Sequence, residues 1–427
     1  MDPVHNEFLP RRKVLKGMAA AGFGLMLNGC QSSQSSGGVA GGGAPAGPFM
    51  LGIDVLERDQ FSILRGKRVG LICNQTSVNG RGTHTRLVLN RAPGVRLTAL
   101  YAPEHGVDGT ARAGAYVANT RDPATGLTVY SLYGPTRKPT PAMLREVDVL
   151  LFDLQDIGCR SYTYISTMVR AMEACGENDK QFVVLDRPNP LGGNRVEGPD
   201  LEQRWVSFVG QVPVPYVHGM TAGELARMTN ARGWNEARTR LSVVPMQGWR
   251  RSMIWSDTGL RWVRTSPNIP HDQSPVYYVA TGILGSASNV DIGIGAAGAP
   301  FEYASARGAN AEAFTAYVRS LRMPGVRAEP YNRAGFGGSR LVIDKRSPAD
   351  VTALGVLMTG ELNRMSGGKV VAGLSGDRLE IFNKVYGSDQ LHRRLQQRGS
   401  TNDLVASWGP FVNRFRAERG GYLMYPA

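Results

Sequence analysis

Cysteine is scarce in this chain: Cys30, Cys73, Cys159 and Cys175 are all it has in 427 residues. If Cys30 carries a lipid, three remain, so no complete disulfide framework exists and thiols or at most one bridge are expected. HExxH and comparable metal-ligand spacings are missing, and so are RRM and zinc-finger signatures. Blocks of like charge are missing too. The formal net charge is +14, yet the lysines and arginines are scattered. That argues against nucleic acid and suits a polyanionic surface or an acidic substrate equally well. Near the N-terminus the apolar run from Met18 to Leu27 is too short to span a bilayer as a permanent helix.

What is present starts with an address. Arg11-Arg12-Lys13-Val14-Leu15-Lys16 is a twin-arginine pattern ahead of that apolar run. Leu27-Asn28-Gly29-Cys30 follows and resembles a bacterial lipoprotein box, with Cys30 as the lipidated residue. Export by this route implies folding in a reducing cytoplasm. Gln31 to Pro48 is a Gly/Ser/Ala/Pro tether, unable to build a core. Residues 1–29 therefore read as signal peptide and 30–49 as leash. The localisation expected is periplasmic, lipid-anchored to a membrane. Gln31 after the cysteine favours the outer one.

With 42% hydrophobic and 20% charged residues, the remainder has the composition of an ordinary globular protein. Its length fits about two domains. Strands are predicted at Arg68–Asn74, Val95–Ala102, Asp148–Leu154 and Gln181–Asp186, with an edge strand or hairpin at Val129–Tyr133. Helices are predicted at Thr83–Arg91 and Pro141–Glu146. A further helix carries Ile165, Met168, Val169 and Met172 on one apolar stripe. This alternation predicts an α/β fold, a Rossmann-like parallel sheet domain over 50–285. After it, 286–427 reads as a smaller α+β domain, with a strand at Ser339–Asp344 and helices around Phe314–Leu321, Val351–Met358 and Leu404–Phe415. A cleft between the two is the natural site.

Polar clusters fall at the carboxyl ends of consecutive strands, where open α/β sheets bind ligands. They are Asn74-Gln75-Thr76, Glu104 with His105, Asp153 with Asp156 and Arg160, and Asp186-Arg187 with Asn189. Glu104 is read as a general acid, because glycoside hydrolysis asks for a protonated carboxyl beside the leaving oxygen. Each cluster also has a plainer reading. Glu104 is equally placed to cap a helix, His105 to be structural, and Asp186-Arg187 to be an ion pair. His218 sits where a helix begins. Gly293 to Gly298 is a literal GxGxxG, but it comes late and Pro300 interrupts any following helix, so a dinucleotide is not expected.

Longer motifs carry a resemblance. PEHG, LFDLQDIGCRSYTYISTM, LDRPNPLGG with VEGP, VPYVHGMTAGELARM, SPNIP, FNKVYG and YLMYP stand in order from Pro103 to Pro426. They are similar to the exo-β-N-acetylmuramidase family, formerly a domain of unknown function. The resemblance implies removal of N-acetylmuramic acid from the non-reducing ends of peptidoglycan fragments, in a cleft between a Rossmann-like and a smaller C-terminal domain, without a cofactor. For such chemistry the second group is Asp156 or Glu197, or the substrate's own acetamido group, and the sequence does not choose. The lactyl carboxylate of muramic acid asks for a cation, Arg160 or Arg187. Tyr162 and Tyr164 are placed to stack on a sugar. Asn74, Thr76, His105, Asp153, Asp186, Asn189 and His218 complete the substrate-binding candidates. One departure matters: the family reads Gly-Arg-Gly-Thr where this chain has Ile294 in the arginine's place. Two other readings remain open, a catalytically silent muropeptide-binding lipoprotein and a metal-dependent hydrolase using Glu104, His105 and Asp156.

Overall fold

The structure is a computed structural model that describes residues 49–295 and 298–427. The twin-arginine pattern, Cys30 and nearly all of the tether lie outside the described residues. Residues 46–427 form one compact unit.

Seven strands make the first sheet: β1 (Arg68–Cys73), β2 (Arg96–Ala102), β3 (Thr120–Arg121), β4 (Thr128–Ser131), β5 (Val149–Asp153), β6 (Gln181–Leu185) and β7 (Arg240–Val244), in the order β3-β4-β2-β1-β5-β6-β7. All neighbours are parallel except the β3–β4 hairpin. The central strands RVGLIC, VLLFD and QFVVL are buried almost throughout, as strands covered on both faces must be. Four helices flank them: α1 (Gly52–Arg58), α2 (Thr85–Arg91), α3 (Tyr164–Glu177) and α4 (Ala222–Arg232). α2, α3 and α4 each follow a strand and lead towards the next, the arrangement that keeps the strands parallel. Glycine is required at the start of α1, because a Cβ on Gly52 would lie 2.4 Å from the backbone nitrogen of Asp186.

The second sheet is antiparallel: β8 (Val290–Asp291), β9 (Tyr303–Arg307), β10 (Val326–Arg333) and β11 (Phe336–Ile343), in the order β10-β11-β9-β8. α5 (Ser274–Gly285), α6 (Ala311–Ser320), α7 (Val351–Met365) and α8 (Gly376–Tyr386) accompany it. α5 packs along α7 and touches β8 and β9, so it belongs with this second layer. Two expectations change. The segment Pro141–Glu146 is a run of turns rather than a helix, being too short to propagate one. β7 and β10 had no clear sequence signal, since β7 is mostly half-buried, and β10 is largely exposed and carries Pro330. A single cluster of buried side chains runs from Ile72 and Phe152 in the first sheet to Phe314, Leu341 and Phe415 in the second half.

Candidate active site

Because β1, β2, β5 and β6 run parallel, Asn74, Glu104, Asp153 and Asp186 come to one rim. Glu104 follows β2 by two residues and is 9% exposed. Its Oε2 accepts from Thr163 Oγ1 at 2.6 Å and its Oε1 from the Gly114 amide at 2.8 Å. Thr163 is the residue before α3, so one carboxyl oxygen is held at a helix N-terminus and the other by a loop. His105 fixes that loop. It adopts a left-handed φ of 71° and its Nδ1 lies 2.7 Å from the Ala111 carbonyl. The loop then folds over the end of β1: a Cβ on Gly109 would fall 2.1 Å from Gln75.

Tyrosines surround the acid. Tyr133 lies against it, and burial followed by the nearby Glu104 carboxylate pushes its phenol up to about 12. Tyr164 and Tyr278 are also near Glu104, with phenols raised by burial first. Tyr164 accepts from Asn74 Nδ2 at 2.9 Å and donates to the Thr265 carbonyl at 2.6 Å. Tyr162 donates to Thr265 Oγ1 at 2.9 Å and packs edge-on against Tyr164, 4.9 Å between centroids. Asn74 Oδ1 in turn accepts from both the amide and the hydroxyl of Thr76. Tyr162 and Tyr164, the latter braced by Asn74 and Thr76, thus tie Thr265, the residue before SPNIP, to the rim, and both tyrosines are buried rather than open to stack on a sugar.

A pocket of about 480 Å³ opens at the ends of β1, β5 and β6, lined among others by Gln75, Thr76, Gln155, Arg187, Trp255 and Trp262. Arg187 and Asp153 pair there in the interior. Nε lies 2.6 Å from Asp153 Oδ1, Nη2 donates to the Val78 carbonyl, and Thr85 Oγ1 supplies Asp153 Oδ2 at 2.5 Å. Gln75 belonged to the polar cluster Asn74-Gln75-Thr76 at the end of β1, whereas Gln155 and the two tryptophans were not among the sequence candidates. Gln155 stands beside singled-out residues, and a count of only six tryptophans was the available signal for the others.

Three further candidates lie apart from Glu104. Asp156 is buried, with Gly158 donating to Oδ2 at 2.7 Å and Oδ1 without a partner among the described residues. Burial raises its carboxyl to about 7. Tyr162 stands near Asp156, Tyr164 near Glu104, and the two rings pack edge-on. Glu197 lines a different pocket, where it pairs with Arg195 and accepts from the Thr352 amide at the start of α7. Burial and the neighbouring Asp350 push its carboxyl up. Arg160 does not offer its charge to the cleft. Nη1 donates to the carbonyls of Pro199 and Val214, Nη2 to that of Tyr386, and the side chain is 3% exposed.

Asp186, Asn189 and His218 also serve the scaffold. Asp186 accepts from Thr221, the Gly223 amide and Tyr425. Burial holds its carboxyl up at about 6. Asn189 ties the Leu191 amide to the Met220 carbonyl. His218 accepts the Met220 amide on Nδ1, and burial, then Arg419, depress it to about 3. The GxGxxG stretch leads to strand β9, not to a helix, while its Ala296 and Ala297 lie outside the described residues. Ile294 within it is exposed. Asp291 accepts from Tyr331 and Glu302 pairs with Arg340. Among the described residues no group of three His, Cys, Asp or Glu side chains could hold a metal ion. Cys73, Cys159 and Cys175 are buried free thiols.

Comparison with known proteins agrees along the whole body. Residues 69–273 match the family model described as exo-beta-N-acetylmuramidase NamZ, N-terminal, and residues 276–425 match its C-terminal counterpart. The peptidoglycan beta-N-acetylmuramidase NamZ of Bacillus subtilis is 39% identical over 391 residues, covering 88% of this chain and 91% of that protein. A crystal structure of a DUF1343 family protein from Bacteroides fragilis superposes with a TM-score of 0.82 at 40% identity, over 89% of this chain and all of that one. A second from the same organism gives 0.69 at 26%, over 88% and 99%.

Proposed function

The chain belongs to the exo-β-N-acetylmuramidase NamZ family, and from that premise we propose that Glu104 is the acid of its reaction. The protein is a glycosidase that removes N-acetylmuramic acid from peptidoglycan fragments. The observation that carries the assignment of Glu104 is its place. It stands at the rim beside Tyr133, Tyr164 and Tyr278, fixed by Thr163 and Gly114.

The proton on Glu104 passes to the glycosidic oxygen as the bond from that oxygen to C1 breaks. The 2-acetamido oxygen of the substrate closes on C1 to give an oxazolinium ion, and Glu104, now a carboxylate, takes a proton from the water that opens it. This route is supported by how the alternatives are engaged. Asp156 is buried and accepts from the Gly158 amide, Glu197 is bound to Arg195 and Thr352, and Asp153 is shared by Arg187 and Thr85. A nucleophilic Asp156 is the second reading, favoured by its unpartnered Oδ1. Residues 46–427 mixed with MurNAc–GlcNAc disaccharide, with free sugars followed by mass spectrometry, separate the two. The acetamido route leaves Asp156→Asn with turnover within about tenfold of the parent, whereas a nucleophile's loss would remove it by orders of magnitude.

The twin-arginine pattern and the Leu27–Cys30 box support export and lipidation at Cys30, with the enzyme held by its tether on the periplasmic side of a membrane, the outer one favoured. Cys30→Ala is expected to move the protein from the membrane fraction to the soluble one, and membrane retention would refute the anchor.

A further inference from the structure

N-acetylmuramic acid differs from N-acetylglucosamine by a lactyl ether on O3 that ends in a carboxylate. An enzyme that selects it needs a cation within one pyranose of the catalytic acid. Ile294 stands where the resemblance would place an arginine. Arg160 is sealed among three carbonyls. Arg187 is tied to Asp153 and Val78 on β6, three strand spacings or about 14 Å from β2.

Arg137 is an uncommitted cation on the Glu104 side of the sheet. It follows β4, the neighbour of β2, and is exposed, with no carboxylate at ion-pair distance among the described residues. The adjacent Lys138 is by contrast spent on Glu173 and Glu177 of α3. The Arg137 guanidinium lies against two adjoining rings, 4.7 Å from the Tyr133 centroid and 4.6 Å from that of Phe208, the rings themselves 5.8 Å apart and tilted by 55°. The two rings hold it from one side and leave N–H groups on the other free to grip a carboxylate. Tyr133, one of these two rings, also lies against Glu104, so the same tyrosine neighbours both the cation and the acid.

Resting on the muramidase reading above, we propose that Arg137 is the specificity-determining residue of this enzyme and binds the lactyl carboxylate of the terminal muramic acid. The test uses two aryl β-glycosides, of N-acetylmuramic acid and of its lactyl methyl ester, which keeps the shape and removes the charge. The parent enzyme prefers the acid. Arg137→Gln lowers kcat/KM on the acid by about 10- to 100-fold, chiefly through KM, and leaves the ester rate unchanged. Arg137→Lys recovers part of the preference, and Arg91→Gln, an exposed arginine at the end of α2, alters nothing. If Arg137→Gln keeps the parent's acid-to-ester ratio, the assignment fails while the muramidase reading stands. Hydrolysis of neither glycoside by the folded parent overturns both.

Discussion

Asp156 has a carboxyl buried without a full set of partners, and that has a pH signature. An unfolded aspartate ionises near 3.8, whereas burial keeps the folded Asp156 protonated up to about 7. The folded state is therefore unpenalised below about pH 4, loses stability as the pH rises towards 7, and stays at the lower level above it. Asp156→Asn is expected to be more stable than the parent by a margin that widens from pH 4 to pH 7, read from melting temperatures; a margin constant with pH would contradict this. The place of Glu104 at the rim was legible because an apolar run ending in Pro-Glu-His marks a strand surfacing at the carboxyl edge of a sheet, where ligands bind. The role of Arg160 was not. It stands inside the same family motif, and nothing in one dimension says that three carbonyls from 199, 214 and 386 converge on its side chain.

Among the elements, the buried strands and α3 could be read from hydrophobic runs and a 3.6-residue stripe, because burial on both faces leaves little choice of residue. Edge elements such as β7 and the exposed β10 could not, since their pairing is decided by neighbours far along the chain. Arg160 is the tie that binds one such distant element. It links the end of α8 to the loops before and after residues 200–213. Arg160→Met is expected to cost ~3 kcal/mol or more in urea unfolding by orphaning those carbonyls, while KM of the folded variant stays unchanged. A raised KM with parental stability would return Arg160 to the substrate.

For the whole molecule, the C-terminus closes back on the first sheet. Tyr425 donates to Asp186 and accepts the Met246 amide, the Met424 amide donates to Glu224, and Arg419 meets the carbonyls of Gly193, His218 and Gly219. With the core continuous between the two sheets, residues 46–427 are expected to unfold in one transition by fluorescence and by circular dichroism alike. Tyr425→Phe shifts that transition by about 1–3 kcal/mol without splitting it. Two separated transitions would show that the halves fold independently. The two-layer plan was legible from the change of texture in the sequence; this closure was not, because YLMYP gives no sign of the aspartate it returns to.

The account turns on Glu104 as the proton donor, and leaving-group dependence tests that most directly. A GlcNAc leaving group needs a proton, whereas an acidic phenol departs without one. Glu104→Gln is expected to lower kcat on MurNAc–GlcNAc by about 10²- to 10⁴-fold but to cleave an activated aryl N-acetylmuraminide at a rate much closer to the parent's. Equal losses on both substrates, or loss on neither, would contradict it.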